Sequence, residues 1–238
     1  MKNKFPVICI DDFFENPDLI VNYALSVDYI NKGKNYPGKR SLDINVINKD
    51  LANNIIKKFL SVFYDENLVE NIIKKELIKT NMYFQKISNE YKLGSVGSGW
   101  THTDKPCISS GVIYLNKNPF ADSGTTIKEI KKNITSNKLA DNYLIRNKLY
   151  SDIIPENYEE KYLDHESNFE DSIVFKNKYN RMIMYSASLW HKQSNFYMND
   201  SERLSIVFFI NDFFQVQTPK DRKTKFLDPG YKKNTIYY

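Results

Sequence analysis

Residues 180–191 read NRMIMYSASLWH, and this stretch is the clearest indication of the fold. It contains an apolar run that is followed by a polar turn and then by a histidine. The run MIMY, residues 182–185, lies between polar residues in the way that is typical of a core β-strand. A second run, RLSIVFF at residues 203–209, has the same strand character. We therefore expect two core strands here, with His191 on the segment that follows the first.

Three upstream segments have the same composition and also predict strands: MYFQKI from Met82 to Ile87, ISSGVIYL from Ile108 to Leu115, and Thr125 to Lys128. Aromatic residues make up 14% of the chain, which suits pleated, half-buried surfaces. These runs predict a mainly β architecture of antiparallel strands with flanking helices, an α+β fold.

A histidine and an aspartate stand two residues apart in WTHTD, residues 100–104. Extended backbone projects residues i and i+2 to the same side, so the His102 imidazole and the Asp104 carboxylate can converge on one point. The third ligand has to come from far along the chain, and His191 is the candidate. This pattern predicts a metal site made of His102, Asp104 and His191, which would also be the catalytic residues.

Two imidazoles and one carboxylate form a facial triad, which occupies three positions of an octahedron and leaves three open. A bidentate 2-oxo acid can fill two of these positions and O2 the third. A structural zinc site would instead close all four positions of a tetrahedron. The triad therefore favours Fe(II) over Zn(II).

An arginine and a serine open the strand that follows His191, in the order Arg203-Leu204-Ser205. Spacing by two places both side chains on one face of the strand. A guanidinium forms a forked, charge-assisted pair with a carboxylate, and the hydroxyl adds a donor. The pair is the predicted site for the distal carboxylate of 2-oxoglutarate.

The chain is expected to form a single domain, residues 1–238. Apolar residues recur at helical spacing from Leu51 to Phe63 and from Leu68 to Leu77, and a further helix is predicted to start near Pro17. The predicted parts are a helical flank at 1–79, core strands within 80–127 and 180–214, an insert or lid over the site at 128–179, and a C-terminal tail at 215–238.

Charge and composition exclude several classes of protein. The net charge of +5 comes from 34 basic and 29 acidic residues, and the lysines are spread along the chain. A phosphate-reading surface would cluster them, so no nucleic-acid partner is expected, and KDRKTK at residues 220–225 is expected to be a solvated tail. Cys9 and Cys107 are too few for a disulfide framework.

The N-terminal apolar run is interrupted by Asp11 and Asp12, which argues against a signal peptide. No stretch approaches the ~18 apolar residues of a membrane span. We therefore expect a cytoplasmic protein without a membrane partner, either a monomer or a homodimer.

The strings at residues 180–191 and 203–209, the His102-Thr-Asp104 motif and the segment Ser109–Asn116 together resemble the prolyl-hydroxylase-like branch of the 2-oxoglutarate/Fe(II) oxygenase superfamily. The matching parts cover roughly residues 80–128 and 180–211. The resemblance implies a double-stranded β-helix, or jelly roll, with N-terminal helices packed on the sheet.

The resemblance also implies a dioxygenase (hydroxylase) that converts 2-oxoglutarate and O2 to succinate and CO2 while it hydroxylates a C–H bond. It favours a protein or peptide side chain as substrate, with proline as the first hypothesis, and a small molecule stays open. Tyr83 and Tyr114, on predicted core strands, are the residues that the family would use to bind the co-substrate. The interval between His191 and Arg203 is longer than the family pattern.

Two other functions fit the same residues. The chain could be a jelly-roll binding module without catalysis, or a zinc-dependent hydrolase or cupin-like isomerase on the same scaffold. Four other residues have simpler interpretations: His165 as an exposed loop residue, Arg181 as structural, and Trp100 and Trp190 as either walls of the site or core.

Overall fold

The structure is a computed structural model, and it describes residues 5–29, 31–32, 36–88, 96–132, 134, 156–196 and 202–219. Its helices and strands, in chain order, are β1 (Ile8–Ile10), α1 (Pro17–Ser26), β2 (Asn31–Lys32), β3 (Lys39–Arg40), α2 (Ile44–Ile47), α3 (Lys49–Leu60), α4 (Glu66–Lys74), β4 (Ile78–Ile87), β5 (Ser109–Tyr114), β6 (Thr125–Ile130), α5 (Tyr158–Glu166), β7 (Phe169–Phe175), β8 (Met182–Ser186), β9 (Trp190–Gln193) and β10 (Arg203–Phe213).

The larger of the two sheets has seven strands in the order β1-β8-β5-β10-β4-β3-β2. Every neighbouring pair is antiparallel. The strand β10 lies at the centre, where Ser205 pairs with Tyr114 of β5 on one side and Gln85 of β4 on the other. Mostly antiparallel sheets with a few helices are what the sequence predicted.

The two faces of this sheet differ because side chains alternate along each strand. One face of β10 carries Leu204, Ile206, Phe208 and Ile210, all buried in the main hydrophobic core. The alternate residues of β10, Arg203, Ser205, Val207 and Phe209, therefore lie together on the opposite face. That opposite face carries the candidate site.

The N-terminal helices cover the apolar face of the large sheet, as predicted. Helix α3 starts where the Asn48 side chain accepts the Leu51 amide at 3.0 Å, a side-chain N-cap. Its buried residues follow at helical spacing, and the Phe59 ring stacks on Phe208 of β10 with centroids 5.6 Å apart. Truncating such a buried ring costs roughly 3–5 kcal/mol, so this contact fastens the helical flank to the sheet.

The smaller sheet has three strands in the order β7-β6-β9. Ile127 of β6 belongs to a buried cluster with Val112 and Tyr114 of β5 and with Ile183 and Tyr185 of β8. The two sheets therefore pack against each other through the site-bearing face of the large sheet. His191 belongs to the small sheet, and its pairing partner on β6 is Ile127.

Parts of the predicted insert at 128–179 have regular structure. Residues 169–175 form β7, which pairs with β6, and 158–166 form α5. The sequence did not predict β7, because five of its seven residues are exposed and the apolar alternation is weak. Of the predicted tail, only residues 215–219 are described, and the KDRKTK stretch lies outside the described residues.

None of the helices among the described residues combines the length and the apolar composition that crossing a membrane requires.

Candidate metal centre

Three side chains from two separate segments meet at one end of the sheets. His102 Nε2 lies 3.4 Å from one carboxylate oxygen of Asp104, and His191 Nε2 lies 3.1 Å from the other. One ligand atom from each of the three residues lies within 4.8 Å of the other two. Ligands that share one cation through bonds of roughly 2 Å need this proximity.

The backbone around His102 and His191 fixes which ring nitrogen faces the aspartate. Nδ1 of His102 is 2.6 Å from the Trp100 carbonyl oxygen, and Nδ1 of His191 is 2.9 Å from that of Leu189. A carbonyl oxygen only accepts, so we assign the hydrogen of each ring to Nδ1. In the neutral form that metal binding requires, both rings direct the Nε2 lone pair at the Asp104 carboxylate, a donor set that fits a divalent cation.

The two ligand-bearing segments are joined by backbone hydrogen bonds. The Gly99 amide donates to the Gln193 carbonyl and the Asp104 amide donates to the Ala187 carbonyl, both at 2.9 Å. At Gly99, a Cβ would lie 3.1 Å from the Gln193 backbone nitrogen, so the absence of a side chain lets the strands approach. The ligand positions are therefore held by main chain on both sides.

Asp104 is shielded from solvent, with 13% of its side chain exposed. Burial raises the pKa of Asp104, but His191 and His102 lower it more, so the pKa lies well below its usual 3.8. The carboxyl group is therefore ionised and supplies the negative charge that a metal ligand needs.

Arg203 lies on the same face of the large sheet and is 3% exposed. Its Nε–H donates to the Ser123 carbonyl at 3.3 Å, and its guanidinium carbon is 5.4 Å from the centre of the Tyr114 ring. Burial lowers the pKa of Arg203, against the raising effect of Tyr114 and Tyr185. No carboxylate partner of Arg203 is found among the described residues.

Two buried hydroxyl groups on this face have no hydrogen-bond partner within the described part of the chain: Ser205 Oγ and Ser110 Oγ. Leaving a buried hydroxyl unpaired costs free energy. Ser110 lines the cavity at the site, where a ligand would satisfy it, whereas Ser205 does not line that cavity. Ser205 was predicted as a binding residue. Ser110 was missed, because a serine within a predicted strand carries no signal of which face it lies on.

Neither of the two tyrosines predicted to bind the co-substrate lines the cavity at the site, whereas a third tyrosine does. Tyr114 is buried and donates its hydroxyl to Thr125 Oγ1 at 2.9 Å. Tyr83 does not line the cavity at the site, and its ring lies 5.4 Å from the Arg40 guanidinium. Tyr185, which the sequence did not single out, lines that cavity with its ring centroid 4.5 Å from that of His191.

Burial raises the pKa of Tyr185 well above its ordinary value, so the hydroxyl is a neutral donor.

A cavity of about 370 Å³ joins these groups. The two histidines, Asp104 and Arg203 all line it, and Arg40 lines it as well. The other residues around it are Tyr36, Pro37, Gln85, Gly99, Ser110, Gly111, Val112, Thr125, Tyr185, Gln193, Val207 and Phe209. The structure thus brings the predicted metal ligands and the predicted carboxylate-binding arginine to one chamber.

The prediction for His165 was wrong. His165 is 1% exposed and lies on α5, where its ring stacks on Trp100 with centroids 4.2 Å apart. The helical spacing of Tyr158, Tyr162 and His165, all buried, was the signal that could have found it.

Trp100 is buried in the core and Arg181 pairs with Asp11, in line with their structural interpretations.

Comparison with solved structures gives the fold. The chain is similar to HygX from Streptomyces hygroscopicus with nickel and 2-oxoglutarate bound, with 10% identity, a TM-score of 0.50, and coverage of 90% of this chain and 85% of that one. A Pseudomonas putida prolyl-4-hydroxylase matches with 10% identity, a TM-score of 0.47, and coverage of 87% and 93%.

A prolyl hydroxylase from Trichoplax adhaerens, in complex with a hypoxia inducible factor oxygen degradation domain peptide fragment, matches with 11% identity, a TM-score of 0.44, and coverage of 89% and 84%. The similarity to HygX shows a shared fold, and that fold is the one that the sequence resemblance implied.

No curated protein sequence matches the chain. One family model does: it is described as "Family of unknown function (DUF6445)" and matches residues 1–196.

Proposed function

The chain belongs to DUF6445, a family of unknown function, and from its site we propose that it is a 2-oxoglutarate- and Fe(II)-dependent dioxygenase. The observation that carries the proposal is the convergence of His102, Asp104 and His191 in a cavity that also holds the buried Arg203. A purely structural triad gives no reason for a desolvated guanidinium in the same chamber.

His102, Asp104 and His191 would hold the metal through the two Nε2 atoms and the carboxylate. Bound there, Fe(II) supplies the redox chemistry by which O2 converts 2-oxoglutarate to succinate and CO2 as a substrate C–H bond becomes C–OH. The three residues leave half of an octahedral coordination sphere open, which the co-substrate and O2 require.

Arg203 would bind the distal carboxylate of 2-oxoglutarate, because a guanidinium forms paired hydrogen bonds with a carboxylate. Ser205 Oγ lies on the same side of β10 and is buried without a partner among the described residues, so it would be a second donor if this carboxylate extends past Arg203, because Ser205 does not line the cavity itself. Tyr185 and Ser110 add hydroxyl groups to the cavity. Low solvent exposure strengthens each of these interactions.

The two packed sheets would then correspond to the double-stranded β-helix of these oxygenases. The motif resemblance favours a protein or peptide side chain as substrate, with proline as the first residue to test. A peptide would enter from the cavity mouth, and a small molecule is the alternative.

The test is turnover of 2-oxoglutarate by the metal-reconstituted protein. Anaerobically prepared protein with one equivalent of Fe(II) should produce succinate only when both 2-oxoglutarate and O2 are present. Asp104→Asn, which keeps the size of the side chain and removes its charge, should weaken metal binding at least 100-fold, above the 10–100-fold typical of residues that only support ligands. Asp50→Asn, at an exposed position of α3, is the matched control.

Stoichiometric ligand binding without any succinate would indicate a non-catalytic binding module. Activity that persists without O2 and prefers Zn(II) would indicate a zinc enzyme on the same scaffold. Either result overturns the proposed dioxygenase.

A further inference from the structure

Both backbone groups of Thr101, the residue before the ligand His102, are bound by side chains of α5. The Thr101 amide donates to Glu166 Oε1 at 3.1 Å. The Thr101 carbonyl oxygen lies 2.7 Å from His165 Nε2, and since a carbonyl only accepts, His165 donates. Thr101 is 0% exposed, so both bonds are shielded from bulk solvent.

The same glutamate also reaches the residue after the ligand His191. Glu166 Oε2 lies 2.9 Å from Lys192 Nζ, and both side chains are largely buried, at 11% and 16% exposure. Lys192 Nζ additionally donates to the Tyr162 hydroxyl at 2.9 Å. One carboxylate of α5 therefore connects the chain neighbours of both histidine ligands.

The helix that carries these groups is itself held firmly. Glu166 Oε2 makes a second ion pair with Lys128 of β6 at 3.0 Å, and Lys128 pairs with Asp171 of β7 at 3.1 Å. His165 stacks on Trp100 at an interplanar angle of 11°. The Tyr162 hydroxyl lies 2.5 Å from Ser98 Oγ. These contacts fix α5 against the ligand-bearing segments.

The carboxylate at the centre of this arrangement is ionised. Burial raises the pKa of Glu166, but Lys192, the Thr101 amide and Lys128 lower it more, so its net pKa is below the usual 4.5. Its carboxylate accepts the Thr101 amide hydrogen and lies within 3.0 Å of the ammonium groups of Lys128 and Lys192, so it has little freedom to move.

We propose that His165 and Glu166 are positioning residues of the metal centre: they hold the backbone at Thr101 and the side chain of Lys192, and thereby set the separation of His102 from His191. The inference rests on the proposed function in that it takes these histidines as metal ligands. Neither residue touches the metal site itself. Residues that orient ligands in this way typically change metal affinity 10–100-fold when replaced.

A pair of variants at His165 separates positioning from packing. His165→Gln keeps an N–H donor at about the position of Nε2 but loses the ring that stacks on Trp100. His165→Phe keeps a stacked ring and loses the donor to Thr101. If the hydrogen bond to Thr101 matters for the metal, Phe weakens binding and Gln restores it, whereas a packing role predicts the reverse order.

The measurement is Co(II) binding to the metal-free full-length protein, followed by the visible absorption of the bound ion well below the unfolding temperature of each variant. Glu166→Ala and His165→Phe should raise the Kd about tenfold and alter the spectrum. His165→Gln should bind as the wild type does. Glu160→Ala, at an exposed position of the same helix, is the matched control and should also be unchanged.

The inference is overturned if Glu166→Ala and His165→Phe bind Co(II) within twofold of the wild type, or if His165→Gln loses as much affinity as His165→Phe. If the wild type itself binds no metal, the proposed function fails. Amide hydrogen exchange at residues 100–104 then decides the positioning: exchange there must accelerate in Glu166→Ala and His165→Phe and in neither of the other variants.

Discussion

The backbones of His102 and His191 pair directly, each amide donating to the carbonyl oxygen of the other at 2.9 Å. This antiparallel bridge joins residues that are far apart in the chain and places their rings 4.3 Å apart between centroids. This main-chain pairing brings the two imidazoles close enough to share a cation. Asp104 completes the group from the same segment as His102.

Replacing Arg203 by Lys should weaken 2-oxoglutarate binding about tenfold or more. Lysine keeps the charge but cannot form the paired hydrogen bonds of a guanidinium, and each hydrogen bond to a charged group contributes roughly 1.5–3 kcal/mol. The measurement is the KM for 2-oxoglutarate in the succinate assay. Arg181→Lys, at the Asp11 ion pair, is the matched control. An unchanged KM in Arg203→Lys would remove this arginine from the co-substrate site.

Replacing Tyr185 by Phe should raise the KM for 2-oxoglutarate several-fold, whereas Tyr83→Phe should leave it unchanged. Tyr185 lines the cavity beside His191, but Tyr83 does not line it. A typical hydrogen bond contributes about 1 kcal/mol, which corresponds to about a fivefold change. Should Tyr83→Phe have the larger effect, the tyrosine chosen on the family resemblance is the co-substrate ligand after all.

Replacing Gly111 by Ala should destabilise the protein by about 1–3 kcal/mol or more, because the added Cβ overpacks the sheet. It would lie 2.2 Å from the Phe208 ring and 2.6 Å from the Ile183 carbonyl oxygen. The expected fall in Tm is about 2–4 °C for each kcal/mol. At Gly97 the nearest atom is 3.9 Å away, so Gly97→Ala should leave the Tm within about a degree. Equal Tm values for the two variants would contradict the packing described for β5.

The stability of the fold should decrease as the pH falls below about 6.5, in part because of His165. Burial lowers the pKa of His165 from its usual 6.5, so the unfolded chain takes up the proton at a higher pH than the folded one. The contribution is therefore complete above about pH 6.5 and is lost as the pH falls toward the lower folded pKa. Glu166, whose pKa is lowered from 4.5, adds a separate loss only below that value.

Urea unfolding of the metal-free protein at pH 7.5 and pH 5.5 measures this dependence. His165→Gln removes the titrating ring, so the difference in unfolding free energy between the two pH values should be smaller in the variant than in the wild type. An equal difference would mean that folding does not lower the pKa of His165.

Local patterns predicted the residues that converge at the candidate metal centre, because each pair lies within a short motif. His102 and Asp104 lie two residues apart on extended chain, and Arg203 and Ser205 lie two apart on a strand, so each pair shares a side whatever the surrounding fold. The same reasoning could not choose between Tyr83 and Tyr185. Both lie on strands, and which of them reaches the cavity depends on how the strands are placed beside one another.

His165 shows the opposite case, in which a polar neighbourhood concealed a buried residue. The segment YLDHESN suggested an exposed loop, whereas the chain forms a helix with one face against Trp100. The strand β7 was missed for a related reason: its exposed, acidic sequence has the composition of a surface loop, and only pairing with β6 makes it a strand.

By itself, the sequence determined the mainly antiparallel strands, the helical flank and the identity of the groups able to bind a cation and a dicarboxylate, because side-chain periodicity and ligand chemistry are local properties. Tertiary structure alone decided that His191 lies opposite His102 and that Arg203 is desolvated in the same cavity. It also decided that side chains of α5 bind Thr101 and Lys192, the neighbours of the two histidines. Those outcomes depend on contacts between residues distant in the chain, and their free energy comes from burial and pairing that no local pattern records.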